Sequence, residues 1–296
     1  MHTAIRNILK ISFVLVCAAA LLPITPKVAC ASDDVATALV QRDAEIARTA
    51  PKAGDEATRE KLMAEIERGS IEIVSDPKHE ETRIDAEFTV DGEDAKDVKR
   101  REQVVKLYAE RTADGTIVVQ PVFPGKWMAR DSVKLTIRVP ATGDCALKSG
   151  NGTLVVRGTS GSLRVATKNG SINVSGHTGS IDATSANGPI TIEGATDGVR
   201  ATSANGAVRV TLASGNDHPF DIEAKNALVM VEVGSDFDGA VRITTSSGTI
   251  AVVDPAKRVR TPDIADHSMT AEIGAATGHS IIETTSGGIT LSVRES

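Results

Sequence analysis

Between residues 145 and 210 short runs of alternating aliphatic and polar residues are separated by Gly-rich corners, and the pattern returns every 18 residues. Four pairs mark the beat: Asn151-Gly152, Asn169-Gly170, Asn187-Gly188 and Asn205-Gly206. Aliphatic columns keep the same step. They are Leu154, Ile172, Ile190, Val208; Val156, Val174, Ile192, Val210; Cys145, Leu163, Ile181, Val199; and Leu147, Val165, Ala183, Ala201. A further column holds Ser149, Thr167, Ser185 and Ser203. A fixed period of this length marks a solenoid or other stacked array. Each repeat offers two short strands whose alternate side chains face one interior.

The columns continue with a step of 21 to Phe220, Ile222, Asn226, Val229 and Val231, and again to Val241, Ile243, Ser247, Ile250 and Val252. A step of 39 then reaches Ile282, Ser286, Ile289 and Leu291. That step predicts an irregular coil, with Pro255, Pro262 and a strand at Met269, Ala271 and Ile273, filling the gap. The fold expected is all-β: a parallel β-solenoid (β-helix) of about seven coils of 18 to 21 residues over 145–296. At ~4.8 Å per coil the stack would be roughly 34 Å long. Asn-Gly is also a hairpin signal, so the rival is an antiparallel meander. A meander would leave its aliphatic face bare, because no helical stretch in the repeat region can cover it. In the solenoid reading, Gly supplies a positive φ at the corner, Asn forms a side-chain amide ladder, and the Ser/Thr column forms a similar ladder.

Before the repeats the period changes. Residues 32–68 carry helical spacing (Val35, Leu39, Val40, Ile46; Leu62, Met63, Ile66) broken at Pro51, which predicts a short helical or flexible arm. Residues 69–144 alternate with period two at Ile71–Ile73, Ile84–Val90 and Val133–Val139. A hairpin is predicted over 105–122, around Ala113-Asp114-Gly115, and a charged helix or loop over 91–103. This strand-rich N-terminal region is expected to cap one end of the stack, whose strands would otherwise expose unpaired backbone groups.

Composition adds boundary conditions. Of 296 residues only five are Phe, one Trp and one Tyr, so the core must be built from Val, Ile, Leu and Ala. A net charge of -6 leaves no basic footprint for nucleic acid. Residues 1–31 read as a signal peptide: Arg6 and Lys10 precede an apolar run from Ile11 to Leu22, and Ala29-Cys30-Ala31 offers a cleavage site. Export to the periplasm, the cell envelope or the exterior follows. A membrane tether arises only if the signal is uncleaved or Cys30 is lipidated. After cleavage Cys145 is the sole cysteine, which excludes an internal disulfide, and its column makes it a buried hydrophobe.

The strand ending Ile137-Arg138-Val139-Pro140, followed by repeated Asn-Gly-x-aliphatic-x-Val/Ile-x-Gly at 151–158, 169–176 and 187–194, resembles the bacterial "putative adhesin" or toast-rack family. The likeness spans about residues 69 to 293. It implies a parallel β-solenoid at the bacterial envelope, with adhesion or envelope-stress association as its function. That family supplies no catalytic motif to carry over, and the arm at 32–67 lies outside its pattern.

The residues nominate no catalytic, cofactor-binding or metal site. His79, His177, His218, His267 and His279 lie in loops without ligand spacing and are expected at the surface. Asp236 and Asp238 place two carboxylates in one loop, a weak signal for an ion, and the turns lack the Asp of calcium-binding solenoids. Arg164, Asp182 and Arg200 share an outward column and are expected to stack with alternating sign. The function expected is a non-enzymatic structural or interaction module at the envelope, adhesin-like, with an envelope protein or glycan as partner and no cofactor. The alternatives are a polysaccharide-active β-helix enzyme and an accessory domain in envelope-stress signalling. A local site is expected where the beat fails: loops 213–219 and 232–240, the interval 253–279, and the arm before Gly69.

Overall fold

The columns become rungs of two parallel ladders in the computed structural model, which describes residues 37–46, 59–78, 80–255, 257–275 and 278–295. The signal segment and His79 lie outside these residues. The N-terminal elements are β1 (Thr37–Ile46), β2 (Glu60–Ser75), β3 (Thr82–Asp91), α1 (Ala95–Val104), β4 (Lys106–Arg111), β5 (Thr116–Val122) and β6 (Ser132–Val139). The repeats give β7 (Thr142–Asn151), β8 (Leu154–Arg157), β9 (Leu163–Asn169), β10 (Ile172–Ser175), β11 (Ile181–Ser185), β12 (Ile190–Ala195), β13 (Val199–Ser203) and β14 (Val208–Leu212). There follow β15 (Phe220–Asn226), β16 (Val229–Val233), β17 (Gly239–Ser247) and β18 (Ile250–Val253). Last come β19 (Val259–Ala265), β20 (Ser268–Ile273), β21 (Gly278–Ser286) and β22 (Ile289–Val293). Among the described residues the protein is all-β apart from α1, and most of its large sheet is parallel.

Each strand of the repeats pairs with the strand two further along. One ladder runs β7–β9–β11–β13–β15, with Cys145, Leu163, Ile181, Val199 and Phe220 in register. The other runs β8–β10–β12–β14–β16, with Leu154, Ile172, Ile190, Val208 and Val229 in register. Parallel pairing excludes the meander. The inward columns of these two ladders are buried and merge into one core, with Ile250 and Val252 only partly buried against it. Cys145 is 3% exposed, and burial, with Asp144 nearby, pushes its thiol up to about 12, so it is inert at neutral pH.

The amide ladder forms as expected: Asn169, Asn187, Asn205 and Asn226 each donate from Nδ2 to the Oδ1 of the preceding corner asparagine, at 2.7 to 3.0 Å. Two expectations about the corner need correction. Gly170, Gly188 and Gly206 are not held at positive φ. They are glycine because a Cβ there would lie 2.0 to 2.2 Å from the corner carbonyl oxygen of the preceding rung. Positive φ is found at Gly152 (150°) and at the equivalent corners Gly248 and Gly287 (158° and 139°), and at the second corner at Gly158, Gly176 and Gly194 (64°, 61° and 69°). The Ser/Thr column does not hydrogen-bond along itself; Thr167 and Ser185 donate to the carbonyls of Gly152 and Gly170. The hydroxyls of Ser149 and Ser203 are buried without a hydrogen-bond partner among the described residues.

The ends depart from sequence order. β2 is one strand in both ladders: Leu62–Ala64 lies between β5 and β7, and Ile71–Val74 lies between β6 and β8. Over 37–46 and 60–68 the arm is therefore strand, not helix. Leu62, Ala64 and Ile66 point inward while Met63, between them, is 47% exposed, and in β1 Ala38 and Val40 are buried while Leu39 is exposed. In so short a run an apolar i, i+1, i+4 spacing fits either period, and ladder partners on both sides decide for the strand.

At the other end β21 and β22 insert between β15–β16 and β17–β18. Ile222 pairs with Ile282, which pairs with Ile243, and Val229 pairs with Ile289, which pairs with Ile250. The second step of 21 thus joins rungs that are not neighbours, while the step of 39 joins rungs that touch. No coil fills the interval; β19 and β20 form an antiparallel hairpin that extends the β17 ladder.

The predicted hairpin 105–122 is β4–β5, and the charged stretch is α1, N-capped by Asp94. Arg101 anchors it through a buried ion pair with Asp131 (2.7 Å) and a bond to the carbonyl of Asp91. β3 and β1 extend one ladder antiparallel from β6, and β4 extends the other from β5. β1 lies against both β4 and α1, which closes this end of the core.

Candidate functional site

Side chains that alternate with the buried columns of the β7 ladder face outward, and over the middle rungs they are small. Along one outward column the rungs carry Glu65, Lys148, Ala166, Thr184, Thr202, Glu223, Glu283 and Thr244, in that spatial order. Two residues on, the next outward positions are Gly150, Lys168, Ala186, Ala204, Lys225, Thr285 and Ser246. Where both positions are Ala or Thr, nothing rises above the sheet, and a trough of about 1200 Å³ runs across the rungs from β5 to β17. Its middle is floored by Ala166, Thr184, Ala186, Thr202 and Ala204. Its β5 end is walled by Met63, Pro121 and Trp127. Trp127 is held there by a tilted contact with Phe123, ring centroids 4.3 Å apart.

The charges of the trough nearly cancel: Lys148, Lys168 and Lys225 against Glu65, Glu67, Glu223 and Glu283. Lys148 reaches Glu65 at 2.6 Å, and Arg200, from the neighbouring column, reaches Glu223 at 3.6 Å. That column is the alternating row expected from the sequence, in register as Arg164, Asp182, Arg200 and Asp221. Arg164 lies 3.4 Å from Asp182, and Arg200 lies 3.7 Å from Asp221. The arginines are well exposed and the aspartates half-exposed, so these pairs orient the surface more than they stabilise it. Glu223 and Glu283 sit side by side on adjacent rungs, but Glu223 is half exposed and lacks the water-excluded setting that tunes a general acid.

Histidine placement corrects one expectation. His177 is 1% exposed, inside the second corner rather than on the surface. Its Nδ1 meets the hydroxyl of Thr159 at 2.8 Å and its Nε2 meets the carbonyl of Gly161 at 3.1 Å. This pairing suits a neutral imidazole that donates from Nε2. Burial lowers its pKa; bonds involving Ser180 and Gly161 and the charge of Asp197 oppose that shift without reversing it. Among the described residues no group of three or more His, Cys, Asp or Glu could hold a metal ion, and Asp236 and Asp238 recruit no third ligand.

The trough lies over regular rungs, not in loops 213–219 or 232–240 or the interval 253–279. The sequence signal for it is the run Ala166, Thr184, Thr202 at the 18-residue step, a column without a large side chain. Trp127, isolated in sequence just before β6, becomes part of the site only through the fold.

No protein-family model matches the chain, and no curated protein matches it. Among solved structures it is similar to a "putative cell adhesion protein" from Clostridium sporogenes (13% identity, 86% of this chain and 100% of that one, TM-score 0.33). It is similar also to a "putative adhesin" from Bacteroides fragilis (12% identity, 86% and 96% covered, TM-score 0.38). A "putative adhesin" from Parabacteroides merdae shows 9% identity over 87% and 96% of the two chains, with a TM-score of 0.33.

Proposed function

We infer that the two ladders are the walls of one parallel β-solenoid, and that it works as an exported, non-enzymatic, adhesin-like module that holds an extended, net-neutral glycan chain along the trough. The observation that carries this reading is the trough itself, which crosses every rung from β5 to β17 and so spans roughly 38 Å at ~4.8 Å per step. Hydroxyls of Thr184 and Thr202 on its floor and Trp127 at its end supply the hydrogen bonds and the flat apolar face a sugar chain needs. Its balanced charge favours a neutral polymer over an anionic one.

The test is co-sedimentation of the purified protein with insoluble neutral envelope polysaccharide, compared with Thr184→Arg/Thr202→Arg, which fills the floor without touching the core. Binding that falls at least tenfold in the double variant, at unchanged Tm, supports the reading. Undiminished binding by the double variant refutes the trough. Release of soluble sugars by the wild-type protein favours instead the polysaccharide-active enzyme, with Glu223 and Glu283 as its carboxylates.

A further inference from the structure

The two ladders do not end together. Beyond the last parallel rung, the β17 ladder continues through β20 and β19, whereas among the described residues the other ladder stops at β18, which pairs with β22 alone. The N–H of Ile289 donates to the carbonyl of Thr249, so Thr249 and Ala251 face β22, and the N–H and C=O groups of Ile250 and Val252 point away from it. Ile250 and Val252 are only partly buried against the core. One rung inward their equivalents Ile289 and Leu291 are 1% and 0% exposed. A place for one more strand is therefore open, with backbone partners on β18 and an apolar floor beneath it.

The other terminal strands are defended against such an addition. β1 carries Gln41, Arg42, Asp43 and Glu45 and is tied to α1 by Arg42 on the carbonyl of Glu102. β4 carries Lys106, Glu110 and Arg111. β19 carries Pro262 and a register shift. β18, Ile-Ala-Val-Val, has none of these devices, and Val253 is exposed.

We propose that this edge binds a single extended polypeptide segment of another protein, uncharged and aliphatic at alternate positions, by strand addition to β18. Charge matching excludes the protein's own charged edges as occupants, since each would set Arg, Lys or Glu beside Ile250 and Val252. A second folded copy adding its β18 about a two-fold axis would bring its own β19–β20 hairpin into the space that the first hairpin occupies. A single strand meets neither obstacle: its main chain pairs with Ile250 and Val252, and alternate side chains cover them.

The probe is a fluorescein-labelled, uncharged peptide of residues 286–293, whose β22 sequence already lies beside β18 on its other side. The control is the same peptide with lysine in place of Ile289 and Leu291. Anisotropy should show saturable binding of the first peptide to the full chain and at least tenfold weaker binding of the second. Hydrogen exchange at the Ile250 and Val252 amides, fast in the free protein, should slow at least tenfold when the peptide is present. Val252→Pro removes an outward N–H while sparing the β22 ladder, and should abolish binding. Should that variant not fold, the exchange measurement on the wild-type protein decides by itself. Absence of binding at hundreds of micromolar peptide, equal binding of both peptides, or unchanged amide exchange overturns the proposal. A concentration-dependent dimer lost in Val252→Pro would also overturn it, by placing a second copy at this edge.

Discussion

The middle of the protein and its two ends use the same rungs but obtain their neighbours differently. From β7 to β14 each rung rests on the segment 18 residues away, as when Asn187 bonds to Asn169 and Asn205 to Asn187. At the ends the neighbour is distant. β2 lies between β5–β6 and β7–β8, both later in the chain, and β21–β22 lies between β15–β16 and β17–β18, both earlier. A purely sequential array can fray from its last rung inward, since each unit contacts only its neighbours. Threading a remote segment one or more rungs from each end fastens the terminal strands to the body. That insertion requires closing long loops before any contact forms, so the middle should order before the ends.

The largest effect should come from charge in the regular interior. Ile181→Asp places an unpaired carboxylate between Leu163 and Val199 and should cost at least about 4 kcal/mol, enough to unfold the stack. Chemical denaturation measures it, and a loss below about 1 kcal/mol would mean that this column does not face inward.

The two corners give the next contrast. Gly188→Ala drives a Cβ to 2.0 Å from the carbonyl oxygen of Gly170, whereas Gly194→Ala meets no atom within 4 Å and incurs only its positive φ. The first should lower stability by roughly 2 to 4 kcal/mol and the second by about 1 kcal/mol. A reversed order would show that conformation, not close approach, dictates the Asn-Gly corner.

A smaller, pH-dependent effect belongs to His177. Its folded pKa lies below the ordinary value of about 6.5, so below that value the unfolded chain binds the proton more readily than the folded one. Stability should therefore rise with pH up to about 6.5 and fall on acidification below it. His177→Gln, which retains a donor and an acceptor, should flatten that part of a Tm-against-pH profile. An unchanged slope would assign the dependence to other groups. Arg164→Ser should be the quietest change, within about 0.5 kcal/mol of wild type, because its pairing with Asp182 is exposed.

What could be read from sequence divides along the same line. The columns through Cys145, Leu163, Ile181 and Val199 were legible because a constant step repeats each inward position, and the Asn ladder follows from that register. β2 was not, because Leu62 meets Ile117 on one side and Cys145 on the other, pairs joined by no common step. The run Leu62-Met63-Ala64-Glu65-Ile66 reads as helix or strand until those partners are known. The order of β17 and β21 was hidden for a different reason: both fit the same columns, and aliphatic periodicity carries no label for which rung comes next. The trough was half legible. Its small-residue floor is written at the 18-residue step, whereas Trp127 and Met63 reach it only through the threaded end.

The most direct test is of that threading, through cysteine pairs placed on the trough floor. Glu223 and Glu283 occupy adjacent rungs, whereas Glu223 and Thr244 are two rungs apart with Glu283 between them. Cα spacings of ~4.8 Å and ~10 Å follow, and only the first lies within disulfide reach. In protein beginning at Ser32, Cys145 is the sole native cysteine and, buried and protonated, does not compete. Under mild oxidation of the folded protein, Glu223→Cys/Glu283→Cys should form an intramolecular disulfide and Glu223→Cys/Thr244→Cys should stay reduced. Cross-linking of the second pair and not the first would contradict the order of rungs on which the closed core and the unbroken trough depend.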